Sequence, residues 1–170
     1  MDIIYQERVP FPFVRRAVAV YAALIVAFSI TYCYLRLNSL LGERPASLWF
    51  FLAVVAAMIV VTLTLANLAT LSIKMTGEYA IVAFGIFRRK IKWENVSKCD
   101  LDRAGSIHYF GNWGVGLGLV GGHLRRMLTV PGSPRVVLGM KHSKVSEFVF
   151  STKNPDAVMD VIKKYIIDSK

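Results

Sequence analysis

Two stretches of this chain, Ala17 to Leu35 and Pro45 to Ile73, contain no charged side chain, and a soluble fold of 170 residues has no core large enough to bury both. The first, AVAVYAALIVAFSITYCYL, is nineteen residues long and bracketed by Arg15, Arg16 and Arg36. It matches the roughly 20 residues needed to cross a hydrocarbon core. A cleaved signal peptide would have a shorter apolar region, of about 7–15 residues, with a small-residue cleavage site behind it. Tyr32, Tyr34, Leu35 and Arg36 do not form such a site. In the second stretch Ser47 to Ala69 suffices to cross, and Trp49, Phe50 and Phe51 stand at its start, where an aromatic belt sits. Ala53 and Ala57 make a small-xxx-small pair that lets two helices approach closely. The expectation is an N-terminal segment over 1–16, a transmembrane hairpin over 17–70 with spans at about 17–36 and 47–70, and a soluble domain over 71–170.

Orientation follows from the basic residues. Arg8, Arg15 and Arg16 precede the first span, Arg36 and Arg44 lie between the spans, and Lys74, Arg88, Arg89, Lys90 and Lys92 follow the second. The positive-inside rule then puts both termini on the cytoplasmic side of a cell membrane. Net charge is +10, and residues 74–170 hold +8 of it, sixteen Lys and Arg against eight Asp and Glu. That excess implies a negatively charged partner. For a domain tied to a bilayer the nearest is the anionic headgroup layer, where each basic residue contributes roughly 1 kcal/mol; nucleic acid is not expected. Cys33 and Cys99 fall on opposite sides of this division, so no disulfide is expected.

Beyond Leu71 the hydrophobic period changes to two and turn residues recur at short intervals, the pattern of consecutive antiparallel strands. Seven strands are expected: Leu71–Thr76, Tyr79–Phe84, Ile86–Lys92, Val96–Asp102, Leu124–Val130, Arg135–Met140 and Val145–Ser151. In the third, Ile91 and Trp93 alternate with Lys90 and Lys92, and in the seventh Phe148 and Phe150 alternate with Glu147 and Val149, which predicts one buried and one wetter face in each. A curved sheet or partly open barrel results. Asn154, Pro155 and Asp156 then suit the start of a helix. Val158, Val161, Ile162, Tyr165 and Ile166 give that helix one apolar stripe.

Two membrane helices, seven short strands and one terminal amphipathic helix resemble the membrane-anchored bacterial pleckstrin-homology-like family. The run Ile81 to Phe87, with Ile91 to Val96 behind it, resembles that family's strand, glycine, strand and short turn. Tyr109 to Gly116 resembles its Tyr-Gly-Gly-Trp-Gly-like stretch, with Phe110 added and Asn112 in place of a glycine. The resemblance covers about 71–170. It implies a strongly bent seven-stranded antiparallel sheet closed by the final helix, and a binding or scaffolding module without a shared catalytic site.

For lipid or anion binding the candidates are Arg88, Arg89, Lys90 and Lys92 beside Phe87 and Trp93, with Arg125 and Arg126; a solvated strand face is the competing reading. The uncharged run 107–122 reads as a flexible hairpin loop, or as an interaction loop in which Tyr109, Phe110, Trp113, Leu117 and Leu119 touch the bilayer or another membrane subunit. Within it Gly116 to Gly121 matches G-x-G-x-x-G, but no helix follows and the downstream stretch near Lys141 is basic, so nucleotide binding is set aside. His108, His123 and His142 are too scattered to indicate a metal. Asp100 and Asp102 share a strand face and read as a solvated edge. No nucleophile–base or paired-carboxylate signature is present, so neither catalysis nor a cofactor or metal is expected. The expected function is a membrane-anchored binding or scaffolding module for protein partners or anionic lipid headgroups. The alternative is an accessory subunit of a transporter or membrane enzyme acting through its hairpin; homo-oligomerisation is compatible with both.

Overall fold

The computed structural model describes residues 2–38, 48–102, 114–120, 122–141 and 143–168. It divides into two compact units, Pro12–Ala69 and a second formed by Met1–Phe11 with Thr70–Lys170.

The first unit is a helical hairpin, α1 (Pro12–Leu37) and α2 (Leu48–Asn67). Both helices are long and apolar enough to cross a membrane, and almost nothing of either is buried in protein. Phe51 of α2 stacks on Tyr32 and Phe28 of α1, with ring centroids 4.0 and 5.6 Å apart. Three hydroxyls are satisfied within the helices: Ser29, Thr62 and Thr64 each donate to the carbonyl four residues earlier, at 2.8 Å. Such back-bonding removes the cost of an unpaired polar group in an apolar medium.

Among the described residues the second unit contains nine strands, a 3-10 turn at Trp93–Asn95 and one α-helix, with the strands in two sheets that do not close into a barrel. Sheet A has the order β1 (Ile3–Pro10), β2 (Thr70–Thr76), β3 (Tyr79–Phe84), β4 (Phe87–Lys92), all antiparallel. Sheet B has the order β5 (Val96–Leu101), β8 (Arg135–Met140), β9 (Glu147–Ser151), β7 (His123–Thr129), β6 (Gly114–Val120). In it β9 lies between β7 and β8, parallel to the first and antiparallel to the second. The expected seven-stranded sheet is therefore corrected to four plus five strands. The two additional strands are β1, which the sequence reading kept apart from the β domain, and β6, which it treated as loop.

The β2–β3 turn is built by Thr76, whose Oγ1 accepts the N–H groups of Glu78 and Tyr79 at 3.4 and 3.3 Å. The indole of buried Trp93 then donates to the Thr76 carbonyl at 2.8 Å. At the β3–β4 turn Gly85 has φ +50°, a left-handed backbone that suits glycine. In β6, glycines alternate with Val115, Leu117 and Leu119, and a Cβ at Gly118 would stand 2.9 Å from Met127 Cε on β7. The largest fully buried side chains, among them Leu71, Ile73, Met75, Phe84, Leu138, Phe150 and Ile162, come from both sheets and the terminal helix α3 (Pro155–Asp168). Val158, Ile162 and Ile166 of α3 are buried as the stripe predicts. Tyr165 stacks on Trp93 at 6.3 Å. Strand β9 departs from expectation, since all five of its residues are buried; neither of its faces is wet, Glu147 being covered by Arg125 and Lys98.

Candidate functional site

Strand parity sorts the basic residues. On β4, Arg89 shares a face with buried Ile91, while Arg88, Lys90 and Lys92 project from the other. Lys90 Nζ lies 3.6 Å from the ring centroid of Tyr79, a cation–π contact, and Lys92 Nζ is 3.0 Å from Glu94 Oε1 on an exposed surface. On β7, Arg126 shares a face with Leu128, and Arg125 shares the opposite face with Met127.

Arg89 and Arg126 line one cleft together with Lys90, Lys92 and Lys141, from β4, β7 and the end of β8. It has a volume of about 390 Å³; Asn95 and Ser143 add neutral hydrogen-bonding groups, and among the described residues no carboxylate lines it. Such a cavity can accept a phosphate or carboxylate through charge-assisted hydrogen bonds. Adjoining it is a groove of about 380 Å³, lined by Phe87, Arg88, Val115 and Leu117 together with the same Arg89 and Arg126.

Arg125 is different. Its Nε pairs with Glu147 Oε2 and its Nη1 lies 3.9 Å from Asp102 Oδ1, while Arg135 Nε is 3.3 Å from Asp102 Oδ2 and Lys98 Nζ is 3.8 Å from Glu147 Oε1. The Asp102 and Glu147 side chains are only 3% and 10% exposed, and that of Arg125 is 15% exposed. Asp102 is thus not the solvated edge expected; it is held among arginines, beside the small buried cluster of Met127, Val137 and Val149. Five of the six expected basic residues remain on the open side. Arg125 belongs to an internal ion-pair network.

A second buried carboxylate, Glu7 on β1, accepts a hydrogen bond from Thr152 Oγ1 at 2.5 Å, one from the Lys153 backbone N–H at 2.6 Å and one from the Tyr5 hydroxyl at 2.8 Å. It fastens β1 to the junction of β9 and α3. Burial, then the bond to Glu7, pushes the Tyr5 phenol above its ordinary pKa. Burial also raises the Cys99 thiol, to about 12.

Of the expected interaction loop, Leu117 and Leu119 lie on β6 and are exposed, whereas Tyr109, Phe110 and Trp113 fall outside the described residues. Sequence reasoning missed Lys141, Asn95 and Ser143, which join the cleft only through tertiary structure. Among the described residues no group of three His, Cys, Asp or Glu side chains is arranged to hold a metal. Comparison with protein-family models, curated proteins and solved structures finds no match to this chain.

Proposed function

We propose that this chain is a membrane-anchored, pleckstrin-homology-like binding module, not an enzyme, whose basic cleft takes anionic lipid headgroups at the cytoplasmic face. The observation that carries the proposal is the convergence of Arg89, Arg126 and Lys141 on one cleft that, among the described residues, no carboxylate lines. Uncompensated cations in a concave site focus a field that attracts anions. The two-layer unit with its terminal helix supports the pleckstrin-homology-like reading. Anchorage is supported by the two apolar helices and by the pairing of β1 with β2. Because no sheet can be split across a lipid core, that pairing supports a topology in which the chain before α1 and the chain after α2 share one side, as an even number of crossings provides.

The test uses full-length protein in mild detergent, offered phosphatidylglycerol and phosphatidylcholine in equal amounts, with retained lipid read by native mass spectrometry. Phosphatidylglycerol is retained preferentially, and Arg126→Glu combined with Lys141→Glu removes the preference. Equal retention of both lipids by the unaltered protein, or a preference that survives the double substitution, would overturn the lipid assignment. An acidic partner protein would then take its place as the ligand.

A further inference from the structure

The register of sheet A fixes from which of its ends the chain leaves for α1 and to which it returns from α2. Pro10 pairs with Thr70, and in the next rank Val9, Leu71, Phe84 and Phe87 lie side by side across the four strands. Phe11 alone separates β1 from α1, and the chain returns from α2 at Thr70. The β3–β4 turn, Gly85 and Ile86, therefore sits at the end of the sheet from which both arms of the hairpin depart. At about 4.8 Å per strand it is roughly 14 Å from Pro10. The β2–β3 turn, Gly77 and Glu78, occupies the opposite end.

That near end is amphipathic. Ile86 is 78% exposed, Leu117 60%, and Phe87 and Val115 are nearly half exposed. Arg88, Arg89 and Arg126 flank Phe87, Val115 and Leu117 around the groove between β4 and β6, and among the described residues no acidic one lines it. Exposed apolar side chains at a turn with cations behind them form a surface that fits one medium, the boundary between anionic headgroups and acyl chains.

We infer that the β3–β4 turn and β6 form a second, peripheral membrane contact, in which Ile86 and Phe87 insert into the interface of an anionic bilayer and Arg88, Arg89 and Arg126 meet its phosphates. The inference rests on the membrane-anchored reading above and commits the domain to lying against the bilayer by this end. Charge complementarity and the shared end of the sheet argue for lipid as the occupant.

The experiment uses the full chain in vesicles, with an environment-sensitive fluorophore attached through cysteine and nitroxide-bearing lipids as quencher. Three positions are compared: native Cys33 in α1, Ile86→Cys and Glu78→Cys, the last two with Cys33→Ser. Cys99 is buried and stays unlabelled. In mixed phosphatidylcholine and phosphatidylglycerol, Cys33 and position 86 are quenched and position 78 is not. Arg88→Gln with Arg89→Gln lowers the docked-to-undocked ratio at position 86 by about fivefold per residue, and so does replacing the anionic lipid by phosphatidylcholine alone. Quenching at position 86 no greater than at 78, with Cys33 quenched, overturns the inference and leaves anchorage standing. An unquenched Cys33 overturns anchorage and the inference together. A blue shift at position 86 that depends on protein concentration and not on lipid charge overturns it in favour of a second copy of the chain.

Discussion

The two faces of sheet B treat the same chemistry in opposite ways. On one, Arg125 and Arg135 are matched by Asp102 and Glu147 and withdrawn from water; on the other, Arg126 meets Arg89 and Lys141 along a cleft that no carboxylate among the described residues lines. Arg125 and Arg126 are consecutive in the chain, so the difference is one of strand parity alone. A guanidinium supplied with its own acids is part of the architecture. One left without them is open to a ligand.

The largest expected effect separates these two arginines. Arg125→Ala strands Glu147 and Asp102 as under-compensated buried charges and costs about 3 kcal/mol of stability, whereas Arg126→Ala, on the open face, stays within about 0.5 kcal/mol. Denaturant unfolding of the full chain in detergent measures both, and equal losses would erase the distinction. Next comes the other buried carboxylate. Glu7→Gln keeps the volume but removes the charge that Thr152, Lys153 and Tyr5 all approach, and costs about 2 kcal/mol. Loss of β1 protection in hydrogen exchange reports it directly.

The smallest effect extends the comparison to the cysteines. Cys33 is exposed and Cys99 buried, and the Cys99 thiol is raised from 9.0 to about 12, chiefly by desolvation. A folded-state pKa above the unfolded one means that the stabilisation is complete below pH 9 and is lost as the pH rises toward 12. The thiolate is the reactive species, so at neutral pH an alkylating reagent spares Cys99 in the folded chain. The Cys99→Ala variant lacks this part of the alkaline decline in stability, which a pH series of thermal unfolding reads.

Much of this was legible in the sequence where periodicity was unbroken. Strands β2, β3, β4 and β7 and the helix α3 follow alternation or helical spacing within a residue or two, whereas β8, with Val136, Val137 and Leu138 all buried, was marked by its apolar run between turn residues. Strand β1 escaped notice because its inward position at residue 7 holds a carboxylate, whose partners lie 145 and 146 residues away. No local pattern marks such a slot. Strand β6 was hidden by glycine, since its alternation is of apolar residues with hydrogen atoms instead of polar groups. The basic cleft was half visible: charge drew attention to Arg88 through Lys92 and to Arg126, but charge cannot tell Arg125 from its neighbour, and only the sheet order brings Lys141 beside β4.

The bond between Glu7 and Thr152 also sets an order of assembly. During synthesis the first of these emerges ahead of both hydrophobic helices and the second after β9, so most of the chain must be made before they can meet. By then both apolar helices have been made, and β9 still has to slot between β7 and β8. Closure of the fold is a late, long-range event.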